Sequence, residues 1–60
     1  MKRLFQKGQM VKAKNDGKVM EVINYIQVKS RYLVECRWFD HEKREIFVNR
    51  FKEENLRNAS

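Results

Sequence analysis

Nine consecutive residues, Tyr32-Leu33-Val34-Glu35-Cys36-Arg37-Trp38-Phe39-Asp40, hold the only Trp and the only Cys of the chain and are dense in aromatic and aliphatic side chains. In a strand, alternate side chains point to opposite faces, so Tyr32, Val34, Cys36 and Trp38 share one side and Leu33, Glu35, Arg37 and Phe39 the other. The first set is suited to a core, while the second carries two charges. The run therefore predicts the central strand of a small all-β domain.

Sixty residues predict a single domain over 1–60, with 1–4 and 57–60 frayed. A domain of this size buries only about 60% of its unfolded surface. A single Cys excludes an internal disulfide, and a single His leaves a structural zinc site short of ligands. Self-association is the remaining way to add buried surface. Hydrophobic residues at 42%, charged residues at 37% and the lack of proline suit a globular, well-wetted molecule rather than a disordered one.

Turn signals divide the chain. After Gly8, the stretch Gln9 to Lys14 turns Val11 and Ala13 inward and Lys12 and Lys14 outward, a first strand. Asn15-Asp16-Gly17 is the strongest turn signal. A second strand runs from Val19 to about Ile26. Its alternation is imperfect: Met20, Val22 and Ile26 share a side with Asn24, while Glu21 joins Val19, Ile23 and Tyr25, as expected of a strongly bent strand. Gln27 to Arg31, without glycine, reads as a longer or more mobile connection. The third strand follows to Phe39, Asp40 to Lys43 turn the chain, and a fourth strand runs from Arg44 to Asn49 or Phe51, with Phe47, Asn49 and Phe51 alternating against Ile46, Val48 and Arg50. Lys52 to Leu56 suits one helical turn that drops Leu56 onto the core. These elements predict a small, strongly bent barrel of four to five strands.

No catalytic, nucleotide-binding or metal-ligating pattern is present, so no enzyme, cofactor or metal is expected. The apolar stretches are far shorter than the roughly 20 residues needed to cross a bilayer, and the basic amino terminus is interrupted at Gln6 before an apolar signal segment develops. A cytoplasmic protein with a reduced Cys36 is expected. Cys36 has neither a Cys-x-x-Cys partner nor a nearby His, so it reads as buried filler.

Fourteen Lys and Arg against eight Asp and Glu leave a formal charge of +6, an excess that favours polyanions or an acidic protein surface. Lys12, Lys14, Lys18, Arg37 and Arg44 are the expected phosphate contacts, with Arg50 available beside them. Trp38 and Phe39 face opposite ways, so one of them leaves the core. An exposed ring could stack a base, or it could be covered by a neighbouring strand or a subunit interface. The interleaved Glu21, Glu35, Glu42 and Glu45 allow a second reading, in which cross-strand pairs simply keep the sheet soluble. Candidate partners are nucleic acid, a second copy of the chain, or another protein.

The pattern Phe5-x-x-Gly8-x-x-Val11-x-x-Lys14, a turn with Gly17, Met20-x-Val22, Cys36-Arg37-Trp38-Phe39-Asp40 and Phe51-Lys52-Glu53-Glu54-Asn55-Leu56 resembles the YodC-like family of small bacterial proteins. The resemblance covers nearly the whole chain. It departs from the family at Gly8-Gln9, where Gly-Asp is usual, at Asn15-Asp16-Gly17-Lys18, and at Lys52, where proline is usual. It implies an SH3-like small barrel and no reaction. A more distant likeness is to the plasmid-borne type II dihydrofolate reductases, which are short, tetrameric SH3-like barrels. Of their Gln-Ile-Tyr active-site segment, Glu45-Ile46-Phe47 keeps only Ile46, so the contacts which that likeness implies are missing.

Overall fold

The computed structural model describes residues 3–59 and is all-β. Strands β1 (Met10–Ala13), β2 (Val19–Val28), β3 (Arg31–Asp40) and β4 (Glu45–Lys52) are followed by a 3-10 turn at Glu53–Asn55 and by β5 (Leu56–Asn58). They form one antiparallel sheet in the order β4-β3-β2-β1-β5. The first four strands make a meander, and β5 returns to pair with β1. The sheet is open, with β4 and β5 as its edges.

The two faces of β3 are those expected. Val34 and Cys36 are fully buried and Tyr32 and Trp38 half-buried, whereas Arg37 and Phe39 are exposed. The irregular alternation of β2 has a definite cause. Val22 pairs with Cys36 and Asn24 with Glu35, so Ile23 is an extra residue in a β-bulge. Before the bulge Met20 and Val22 face inward; after it Tyr25 does, opposite Val34. Tyr25 therefore belongs to the core, contrary to its expected grouping with Val19 and Glu21. The Asn24 side chain accepts the Tyr25 amide N–H at 3.0 Å, so the bulge does not strand that donor.

The core comprises Phe5, Val11, Ala13, Met20, Val22, Tyr25, Val34, Cys36 and Leu56. Leu56 reaches it through the 3-10 turn, as the sequence predicts.

Three expectations require correction. Residues 27–31 are not a long loop: β2 and β3 extend to a tight turn at Lys29-Ser30, with Val28 paired to Arg31 and Lys29 in the left-handed region at φ 58°. Arg57 and Asn58 do not fray, because β5 pairs them with Lys12 and Val11 and the Ala59 N–H donates to the Met10 carbonyl at 3.1 Å. Arg3 and Leu4 are also tied down. The Arg3 guanidinium lies 5.0 Å from the Tyr25 ring centre, and the Leu4 N–H donates to Glu53 Oε2 at 3.0 Å. These ends are held by long-range partners that local composition does not reveal. Met1, Lys2 and Ser60, also expected to fray, lie outside the described residues.

The expected turn forms at Asn15-Asp16-Gly17. Gly17 has φ 73° and donates to the Ala13 carbonyl at 2.8 Å, and Asp16 Oδ1 accepts the Lys18 N–H at 2.9 Å.

Tyr25 fastens the amino-terminal segment to the 3-10 turn. Its hydroxyl accepts the Phe5 N–H at 2.9 Å and donates to Glu53 Oε2 at 2.7 Å. Burial first, and then the hydrogen bond to Glu53, push the phenol from 10.0 up to about 12. Because folding strengthens proton binding here, the associated stability is complete below about pH 10 and is lost as pH rises towards about 12. Alkaline titration followed by circular dichroism should show unfolding in that window. Tyr25→Phe, which leaves the Phe5 amide without its acceptor, should lower stability at neutral pH by about 1–3 kcal/mol. The left-handed backbone at Lys29 predicts the opposite sign for Lys29→Asn. Asparagine tolerates that conformation better, so the melting temperature should rise, by about 0.5–1 kcal/mol of stability.

Candidate functional site

The inner face of the sheet does not end at the buried core. Register places Phe47 of β4 opposite Trp38 of β3, and Phe51 opposite Val34. Trp38 stacks on Phe47 with ring centres 5.9 Å apart and an interplanar angle of 27°, and lies 6.5 Å from the centre of Phe51. All three rings are half-buried. They form a row beside the open β4 edge, where the sheet supplies no further strand to cover them.

Lysines flank this row because of the meander. The β1–β2 turn and the β3–β4 turn lie at the same end of the sheet, since β1 and β3 run towards that end and β2 and β4 run away from it. Lys18, from the first turn, places Nζ 4.3 Å from the Trp38 ring centre; Lys43, from the second, places Nζ 5.4 Å from the Phe47 ring centre. Such cation–π contacts contribute roughly 0.5–1 kcal/mol at exposed sites. At the other end of the row, Phe51 borders a hollow of about 350 Å³ together with Ala13, Lys14, Asn15 and Asn55. The Lys14 N–H donates to the Asn55 carbonyl at 2.9 Å, tying that lysine's backbone to the 3-10 turn.

Asp40 organises the β3–β4 turn. Its Oδ1 accepts the N–H of Lys43 at 3.1 Å and of Glu42 at 3.0 Å. The Lys43 amide first, then the Glu42 amide and the charges of Lys43 and Lys18, hold its carboxyl below the usual aspartate range. Arg44 completes the turn in the left-handed region at φ 54°.

The structure thus divides the expected contact residues between two faces. Lys14, Lys18 and Trp38 come together at the inner row, and Arg44 lies exposed in the turn at the same end. Lys12, Arg37 and Phe39 are on the outer face. There the Arg37 Nε–H donates to Glu21 Oε1 at 2.9 Å, an exposed cross-strand ion pair of the kind the interleaved glutamates suggest, and Arg50 pairs with Glu35 at 3.4 Å. Phe39 is the outward aromatic, its ring centre 4.9 Å from that of His41.

Phe47, Phe51 and Lys43 belong to the inner row although they were not among the expected contacts. Their signal was the alternation of Phe47 with Phe51, which becomes informative only when β4 is registered against Trp38. Cys36 is buried, and burial together with the neighbouring Glu35 carboxylate raises its thiol from 9.0 to about 11. It is therefore no thiolate nucleophile at neutral pH. Among the described residues, no group of three or more His, Cys, Asp or Glu is placed to hold a metal ion, and no helix is long and apolar enough to cross a membrane.

Compared with family models, with curated proteins and with solved structures, the chain matches none of them.

The lysine over the indole has a direct optical consequence, since Trp38 is the only tryptophan. Removing the Lys18 stem should expose more of the ring, so Lys18→Ala should increase acrylamide quenching of its fluorescence without changing the circular dichroism spectrum. An unchanged quenching constant would show that Lys18 does not cover the ring in solution.

Proposed function

We propose that this chain is a small SH3-like barrel module of the YodC-like type and that it binds single-stranded nucleic acid along the row Phe47-Trp38-Phe51. The return of β5 onto β1, with the 3-10 turn just before it, supports a strongly bent, barrel-like sheet. The observation that carries the binding reading is the Lys18 ammonium over Trp38, itself stacked on Phe47.

Stacked rings that keep one side open can accept a base, whose π-face is sequence-independent, and each such contact contributes about 1–3 kcal/mol. Lys14, Lys18 and Lys43 sit beside the rings on flexible stems and would meet the phosphates, releasing condensed counterions. Arg44 lies next to Lys43 in the same turn. The side chains of Asn15 and Asn55 add hydrogen-bonding groups at the hollow beside Phe51. The Lys18 ammonium need only swing from the indole to a phosphate as the base takes its place. No element on this face resembles a recognition helix, so low sequence specificity follows. This reading is one of binding, without a catalytic step.

A fluorescein-labelled oligothymidylate of about 15 nucleotides, long enough for one small barrel, tests the proposal by anisotropy. Binding should be measurable at low salt and weaken with a log–log slope near −2, as expected for about three phosphates at roughly −0.7 each. Phe47→Ala, at the edge strand, should weaken it by about 1–3 kcal/mol, roughly 5-fold to 150-fold. Lys14→Ala should make the salt slope shallower, whereas Lys12→Ala on the outer face should leave it unchanged. The absence of binding at low salt, or binding indifferent to salt, would overturn the proposal.

A further inference from the structure

The outer face of the sheet carries a second feature that binding on the inner row does not use. Met10, Val19, Phe39, Ile46 and Val48 are each between 42% and 63% exposed. Register brings them together. Met10, Glu21, Arg37 and Val48 line up across β1, β2, β3 and β4, and beside them Lys12 is paired to Val19 and Phe39 to Ile46. Five apolar side chains from four strands therefore surround one ion pair, Glu21–Arg37, and all of them but Val48 border a hollow of about 350 Å³ that Met20 and Trp38 also line. Isolated exposed apolar residues are ordinary, but a contiguous group rimmed by polar ones marks an interaction surface.

We propose that this outer face is the interface of a twofold homodimer. The charges at its centre favour a second copy. Arg37 is matched by Glu21 and Arg50 by Glu35, while Lys12 and Arg57, paired across β1 and β5, lie to one side and Lys14, Lys18 and Lys43 lie elsewhere. Its centre is also self-complementary. In an isologous contact the same patch meets itself, and a twofold axis beside the Glu21–Arg37 pair sets Arg37 of each copy against Glu21 of the other. The four charges then form an alternating square within a ring of apolar side chains.

Size is consistent with this. A standard interface buries about 800 Å² on each partner, a modest part of the 4809 Å² accessible here, and four of the five strands contribute to the face. Two such sheets would stack about 10 Å apart with strands near −30°. The dimer would also give Phe39 and Ile46 the cover that a sixty-residue domain cannot provide for itself.

Sedimentation equilibrium on the full chain without nucleic acid, up to about 200 µM, should give twice the 7.4 kDa monomer mass. Ile46→Lys, at an exposed position, should return the monomer with an unchanged circular dichroism spectrum. Glu21→Arg and Arg37→Glu should each weaken self-association at least about tenfold, because each sets like charges across the axis. Mixed together, these two variants should form a heterodimer, since every cross-axis contact is again between opposite charges. Phe47→Ala should remain dimeric, which separates this proposal from the nucleic-acid reading. A wild-type chain that is monomeric throughout, an Ile46→Lys variant as dimeric as the wild type, or charge variants that fail to recover on mixing would overturn the proposal. Monomers that bind the oligothymidylate through Phe39 would assign the outer face to nucleic acid instead.

Discussion

The ladder between β2 and β3, with its extra residue at Ile23, is the part of this molecule on which the rest depends. Because strand side chains alternate strictly, a one-residue insertion exchanges inside for outside beyond it. Without the bulge, Met20 and Val22 could not share the core with Tyr25. The same insertion increases local twist, in keeping with a sheet whose fifth strand returns to its first. Every later assignment, including which rings lie beside the open edge and which lie on the outer face, inherits its sense from that register.

Tyr25 then connects the bulge to the chain ends. A buried hydroxyl needs partners, and here it has two: the Phe5 amide and the Glu53 carboxylate. Glu53 Oε2 also accepts from Leu4, so a segment that precedes the sheet and a turn that follows β4 are held through one side chain. In so small a domain, where few side chains are fully buried, such polar fastening matters more than in a larger core. It also lets the 3-10 turn present Leu56 inward and hold Asn55 near Lys14.

The remaining surface is divided by chemistry. On the inner face beyond the core, aromatic rings carry the Lys18 and Lys43 ammonium groups, which in the proposed binding move to a phosphate. On the outer face, the guanidinium groups of Arg37 and Arg50 are paired with carboxylates, and apolar side chains surround the Arg37 pair. The first arrangement suits a charged, flexible ligand; the second suits a protein surface of matching shape. Strand alternation puts the two on opposite sides of the sheet.

Much of this was legible in the residues themselves. The two-residue period of Tyr32 to Phe39 determined the inner and outer sides of β3, Asn15-Asp16-Gly17 determined the first turn through a left-handed glycine and an aspartate side-chain acceptor, and the lost period after Lys52 marked the turn that buries Leu56. These are local effects, expressed within a few residues. What only the tertiary structure decided depends on partners far away in the chain. The bulge at Ile23 became definite through the pairing of Val22 and Asn24 with Cys36 and Glu35. Arg57 and Asn58 became a strand because β1 offered an open edge, and Lys29-Ser30 became a tight turn because β2 and β3 stay paired up to it. Likewise, the period of β3 already set Trp38 against Arg37 and Phe39, but Lys12 and Lys14, expected to point the same way, part company: Lys12 lies on the outer side, and Lys14 lies with Lys18 and Trp38 on the inner. Side-chain period gives the face within one strand; only cross-strand register says which faces of different strands coincide.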